Sequence, residues 1–227
     1  MSKIDFYSYL VSPPCRAVHM FLTVNNIPFN YQNTNITIGE QRKEEFLKVN
    51  PHGKVPVIKD GDFCLTESVA IIQYLAEKYS TPDHWYPRDP VRRARVDEFL
   101  SWHQTNTRLN AGGLFFNVIV VAKIRNQPRN EEAIKERKEK LKANLEIIEN
   151  HFLKGRNFLG GDEISIADIV GIVEIAQNEY IGVDAGKDRP NIKAWRERVV
   201  AKLGSSFTTA HELLAQTAAK YNVVEPF

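Results

Sequence analysis

Ser12 stands directly before Pro13-Pro14-Cys15-Arg16 and follows a short β-forming run, Ile4 to Tyr9, so a hydroxyl sits where a strand turns into a helix. Pro14 suits the first helical turn, where a missing N–H costs nothing, and Ala17, Val18, Met20, Phe21 and Val24 follow at helical spacing. A hydroxyl in that place can cap the helix, or it can donate to an anion while the helix N-terminus adds a favourable field. Local sequence alone favours the cap. Cys15 falls at the second position of a Cys-x-x-Cys spacing whose first position is Ser12, so no dithiol forms there and redox catalysis is disfavoured. Cys15 and Cys64, the latter inside a β-forming run, both read as packed apolar thiols.

Further along, Glu67 and Ser68 occupy the start of a helical pattern after Thr66. Backbone donors at such a start suit a carboxylate, although first-turn residues are also chosen for the helix dipole alone. Ser165-Ile166-Ala167-Asp168 is a capping box, a structural motif in which hydroxyl and carboxylate satisfy two orphan N–H groups. The six histidines show no ligand spacing, and no metal site is indicated.

The elements that must hold these residues follow from periodicity and turn chemistry. Strands are predicted at Ile4 to Tyr9, Phe29 to Asn33, Val55 to Lys59 and Phe63 to Leu65, the last two joined by an Asp60-Gly61-Asp62 hairpin turn. With helices from Pro14, from about Gln41 to Val49 and over residues 66–79, the order is β-α-β-α-β-β-α, an α/β unit with a mixed sheet. Pro82, Pro87 and Pro90 mark a linker. Beyond it, helical patterns run over about 91–124, 131–152, 165–180, 191–203 and 207–221, a bundle of about five helices. The domain limits are thus 1–81, a linker at 82–89, and 90–227. The charge-dense stretch Lys135 to Lys142 reads as a solvated helix face.

Composition bounds the partners. At 227 residues, 43% hydrophobic and 26% charged, the chain can bury one sizeable core or two modest ones. A formal charge of +2 is too small for the single-sign field that nucleic acid or an anionic membrane requires, which points to a small molecule or another protein. Two cysteines argue for a reducing compartment, and neither a signal peptide nor a membrane span is apparent, so the expected location is cytoplasmic.

The motifs resemble one family. SPPCR at a strand-to-helix turn, LTESVAI with Glu67 and Ser68, and DHWYP followed by RARVDEFLSWH are similar over nearly the whole chain to the theta class of cytosolic glutathione S-transferases. The resemblance implies an α/β thioredoxin-like N-terminal domain plus an all-α helical-bundle C-terminal domain, glutathione as co-substrate, no metal, a homodimer, and conjugation of glutathione to a small electrophile. Hydroperoxide reduction is a side activity it also implies. By the same resemblance Ser12 stabilises the thiolate, with Tyr7 and Tyr9 as rival donors and Ser8 a poorer fit, and Arg108 assists the thiolate or the leaving group. Ser68 takes the γ-glutamyl carboxylate and Glu67 the amino group. The Val55-Pro56 pair, expected to be cis, faces the cysteinyl part, while Gln41, Arg42 and Lys54 serve the glycine carboxylate. Gln41 and Thr105 depart from the theta pattern, which has histidine at the first position and often aspartate at the second. A catalytically weak scaffold module is the alternative reading, and a glutathione-dependent isomerase a third. Many relatives continue past the position of Phe227 into a helix that covers the electrophile pocket, and an open pocket is expected here.

Overall fold

The computed structural model describes residues 3–225 and 227; Met1, Ser2 and Pro226, which the predicted domain limits include, lie outside the described residues. Strands β1 (Ile4–Ser8), β2 (Phe29–Asn33), β3 (Val57–Asp60) and β4 (Phe63–Thr66) alternate with α1 (Pro13–Val24), α2 (Glu44–Val49) and α3 (Ser68–Lys78) in the expected sequence. The sheet order is β2-β1-β3-β4, with β1 parallel to β2 and the other pairs antiparallel. Strand β1 alternates buried Ile4, Phe6 and Ser8 with half-buried Asp5 and Tyr7, the period-two pattern of a strand covered unequally on its two faces. Its Phe6 shares an apolar core with Phe21 of α1 and with Ile71 and Leu75 of α3, while Tyr7 packs edge-on against Phe46 of α2.

Helix α1 is buried from Cys15 to Leu22 because it is enclosed on both sides, by the sheet layer and by the helical layer. That helical layer comprises α4 (Pro90–Thr105), α5 (Gly113–Phe115), α6 (Glu131–Ile147), α7 (Ile166–Ala176), α8 (Pro190–Leu203) and α9 (Ser205–Tyr221). Helices α7 and α9 pack directly on α1. The connection between layers is no loose tether: Trp85 is buried, meets Phe21 edge-on with ring centroids 5.8 Å apart, and its carbonyl accepts from Ile166 N–H at 2.9 Å.

One expectation needs correction. The pattern over 91–124 predicts a single helix, but the chain breaks at Asn106 (φ −115, ψ −92) and continues as π-helical turns at Arg108–Gly112 and Phe116–Ile124 around the short α5. The cause is local. Asn106 Nδ2 donates to Trp102 O at 2.8 Å, and its Oδ1 accepts from Asn144 Nδ2 at 3.3 Å, so amide groups compete with the helical ladder. Ala111, Gly112 and Gly113 then offer little side-chain packing to hold a regular turn.

Every residue of α7 is buried, and its start is the capping box read from the sequence. Asp168 accepts from Ser165 N–H at 2.8 Å, Ser165 Oγ at 3.1 Å, Leu159 N–H at 2.8 Å and Trp195 Nε1 at 2.8 Å, while Ser165 Oγ accepts from Ala167 N–H at 3.3 Å. Burial pushes the Asp168 carboxyl up, and these four donors act against it. Two histidines are likewise held without water. His103, with Nδ1 2.7 Å from Thr107 Oγ1, is lowered to about 3 by burial and by the Arg108 cation; His211, stacked on Phe207, is lowered to about 3 by burial and Arg16.

Ser165→Ala removes the cap and one donor to Asp168, and should lower stability by about 1 kcal/mol in denaturant unfolding without altering the chemistry. The two histidines set an acid limit. Below about pH 6.5 the unfolded chain takes up protons that the folded chain refuses, so stability falls as pH drops, by up to roughly 1.4 kcal/mol per pH unit for each. Urea unfolding between pH 7 and 5 should show this slope, and His103→Gln should remove about half of the histidine contribution.

Candidate functional site

Strand β1 ends at Ser8, and the chain turns through a Ser12 N–H bond to Tyr9 O at 2.9 Å before entering α1. Ser12 occupies the N-cap position with extended backbone, yet its side chain makes no capping hydrogen bond. The capping role favoured by local sequence is therefore not what the hydroxyl does. Pro14 removes the second helical N–H, one of the two from which a cap accepts, and leaves only that of Cys15. The half-buried hydroxyl is left facing a cavity.

Arg16 holds this turn in place. Its guanidinium is completely buried and donates to Leu10 O at 3.0 Å, Val11 O at 2.8 Å, Val173 O at 3.1 Å and Gln177 Oε1 at 3.3 Å, reaching from the turn before α1 to α7. Burial pulls it down to about 10, opposed chiefly by Glu174, so it stays cationic at neutral pH. Cys15 is fully buried, and burial pushes its thiol up although the Tyr9 backbone and the Ser8 and Ser12 hydroxyls act against this; it is not poised as a nucleophile. Cys64 corrects an expectation. It is exposed, because β4 is an edge strand and its pairing with β3 leaves one face open.

The cavity beside Ser12 has a volume of about 490 Å³ and lies at the seam of the two layers. Ser12, Gln41, Lys54, Val55, Gln104 and Arg108 line its polar side, and Leu109, Phe115, Phe116, Val120 and Ile124 supply an apolar wall. A smaller cavity of about 240 Å³ shares Lys54, Val55, Gln104 and Arg108 with it, and adds Pro56, Glu67, Ser68, Asn50, His52 and Glu174. The Val55–Pro56 peptide is cis, as expected. Glu67 precedes α3 with φ +66, a left-handed conformation costly for a side-chain-bearing residue, and it turns the chain so that the free N–H groups of the α3 N-terminus open on the smaller cavity. Arg108 is 39% exposed and donates through Nη1 to Glu174 Oε1 at 3.1 Å.

Most of the residues singled out in the sequence thus converge. Ser12, Gln41, Lys54, Val55, Pro56, Glu67, Ser68 and Arg108 each line one or both cavities. Arg42 does not. It is exposed and lines neither, because it lies in the 3₁₀ turn Glu40–Arg42, where successive side chains point about a third of a revolution apart and Gln41 takes the inward direction. The Gln41 Oε1 is buried and has no hydrogen-bond partner, an acceptor turned inward. Tyr7, Tyr9, Ser8 and Thr105 line neither cavity. Asn50, His52, Gln104 and Arg125 were not expected. Gln104 could have been found one helical turn before Arg108, and His52 in the turn leading to Val55-Pro56, whereas nothing local marks Asn50 or Arg125.

Chemically, the arrangement offers a hydroxyl free of capping, a helix N-terminus and the cations Lys54, Arg108 and Arg125 around one space, together with an apolar wall. It suits an anion held against an apolar reactant. Among the described residues no group of three or more His, Cys, Asp or Glu could hold a metal ion, and no helix is long and apolar enough to cross a membrane. The cysteine geometry predicts that a maleimide will label Cys64 in the native protein and spare Cys15 until the chain is unfolded, which peptide mass mapping would show.

Residues 6–83 match the family model for the glutathione S-transferase N-terminal domain and residues 114–202 that for the C-terminal domain. Glutathione S-transferase theta-1 of Bos taurus is 41% identical over 212 residues, covering 93% of this chain and 88% of its own. Theta-3 of Mus musculus is 39% identical over 224 residues, covering 98% and 93%. Among solved structures, the apo form of human glutathione-S-transferase T1-1 superposes with a TM-score of 0.91 at 38% identity, covering 95% of this chain and 91% of that one. A human theta-class transferase in complex with the glutathione conjugate of 1-menaphthyl sulfate gives 0.92 at 36% identity, covering 100% and 94%.

Proposed function

The chain belongs to the theta class of the glutathione S-transferase family, and we propose that Ser12 is the donor through which it activates the thiol of glutathione for attack on small electrophiles. The observation that carries this reading is Ser12 itself, whose side chain makes no capping hydrogen bond and which lines a cavity with both polar and apolar residues.

A free thiol titrates near about 8.5, so only a few per cent is thiolate at neutral pH. A downward shift of about two units needs roughly 2.7 kcal/mol of preference for the anion, within reach of one charge-assisted hydrogen bond plus the field of the α1 N-terminus. The thiolate sulfur then forms a bond to the electrophilic carbon as the carbon–leaving group bond breaks, and the electron pair departs with the leaving group toward Arg108. Ser12 donates throughout and loses no proton.

The rest of glutathione follows the polar lining. In this reading Ser68 and the α3 N-terminus receive the γ-glutamyl carboxylate, Glu67 takes the amino group, Val55 beside Pro56 meets the cysteinyl part, and Lys54 and Gln41 face the glycine carboxylate. Arg42 leaves that set, since its side chain is on the outer surface. Ser12 is preferred to Tyr7 because Tyr7 lines neither cavity and packs edge-on against Phe46, with ring centroids 6.0 Å apart. The same thiolate can attack an organic hydroperoxide, giving an alcohol and a sulfenic acid of glutathione that a second glutathione converts to the disulfide and water. Domains at 1–81 and 90–227, a homodimer and a cytoplasmic location complete the reading, as the family resemblance implies.

Thiolate absorbance of bound glutathione against pH, in wild type and Ser12→Ala, tests the central claim. The wild type should lower the thiol pKa by about two units, and the variant should bind glutathione without lowering it and turn over about a hundredfold more slowly. A variant that still lowers the pKa would place the donor elsewhere.

A further inference from the structure

Helix α7 contains two acidic residues in an otherwise apolar run, both completely buried, and only one has a structural task. Asp168 closes the capping box. Glu174 lies two turns further on, where an isolated carboxylate would cost several kcal/mol to bury and an apolar residue would pack as well. What surrounds it gives the reason. Its Oε1 accepts from Arg108 Nη1 at 3.1 Å and its Oε2 from Gln177 Nε2 at 2.9 Å, while Gln177 Oε1 accepts in turn from Arg16 Nη2 at 3.3 Å. Burial pushes the Glu174 carboxyl up, and Arg108 and Arg16 act against that.

Arg108 makes no other side-chain hydrogen bond among the described residues. It begins the irregular π-helical segment, so its own backbone does little to aim a long side chain. Gly112, one turn on, completes the arrangement: a Cβ there would come within 2.8 Å of Arg108 Nη1 and 2.9 Å of Glu174 Oε2. A residue without a side chain therefore leaves the space in which the ion pair sits.

We propose that Glu174 is a positioning residue for the conjugation reaction, holding the Arg108 guanidinium at the cavity and, through Gln177 and Arg16, fixing it relative to the turn that carries Ser12. The inference rests on the transferase reading above. Glu174 acts through Arg108: it receives no proton from glutathione and touches no reacting atom.

Two measurements test it. The first uses the protein without substrate. Phenylglyoxal modification followed by mass spectrometry should label Arg108 several-fold faster in Glu174→Gln and in Gly112→Ala than in wild type, because both free the guanidinium; unchanged labelling would overturn the assignment. The second is a double-mutant cycle with glutathione and benzyl chloride, after wild-type turnover is established. Glu174→Gln should lower kcat by about tenfold with KM for glutathione within about twofold, and should cost less than about twofold when Arg108 is already alanine. An equal cost in both backgrounds would show that Glu174 does not act through Arg108. Should Glu174→Gln fail to fold, Gly112→Ala, which keeps every charge, carries both measurements. Absence of wild-type turnover would count against the proposed function, and the labelling result would still decide the placement of Arg108.

Discussion

A guanidinium taken wholly out of water is the constraint on which the rest of this structure depends. Arg16 could be buried only where enough acceptors converge, since an uncompensated charge in the interior costs several kcal/mol. Its acceptors come from two places far apart in sequence: the carbonyls of Leu10 and Val11 just before α1, and Val173 in α7 with Gln177 just past its end. Bonding the two terminal nitrogens of one guanidinium therefore fixes the approach to the first helix against the most deeply buried helix of the other layer. The position of Ser12 is a by-product of that anchoring. Ser12, whose side chain makes no capping hydrogen bond, is thereby brought to the wall of the cavity.

The two layers contribute different chemistry to the space between them. The sheet layer brings fixed polar groups, set by strand ends, a helix start and the backward turn at Glu67. The helical layer brings the apolar wall, and it does so with irregular backbone: Phe115, Phe116, Val120 and Ile124 all come from the stretch where α-helical spacing gives way to π turns. Such turns are weaker than regular helix and recur where side chains must be re-aimed. The order follows a general division, in which an invariant co-substrate meets rigid elements and a variable one meets the less regular surface.

Much of this was legible in the sequence because period and punctuation agree. The alternation in Ile4 to Tyr9, the Asp60-Gly61 turn and the proline pairs were enough to place four strands and three helices in order, and Ser165 with Asp168 announced a cap that the structure contains. The failures share a cause, which is dependence on neighbours distant in the chain. Cys64 sits in a β-forming run, but only the sheet order makes its strand an edge. Arg42 and Gln41 are adjacent in sequence and opposite in direction because of a short 3₁₀ turn. The break at Asn106 requires an amide contact from Asn144, and the importance of Glu174 requires knowing that Arg108 and Gln177 lie against it. In the site itself, Ser12, Glu67 and Ser68 stand at helix starts that local sequence marks, Arg108 was named only through the family resemblance, and nothing local marks Asn50 or Arg125.

Trp85 has a bearing on how molecules come and go. A proline-bearing segment between two layers invites the picture of a hinge, but here the indole is enclosed against Phe21 and the peptide carbonyl is tied to the first turn of α7. The segment works as a rivet. With the Arg16 anchor on the same helix pair, it opposes a hinge-like separation of the two layers at the cleft. At the cavity wall, the Arg125 guanidinium rests 5.2 Å from the centre of the Phe116 ring. A side chain on the cavity wall rearranges far faster than two packed layers can separate, so entry and exit are expected to depend on such side chains rather than on hinge opening.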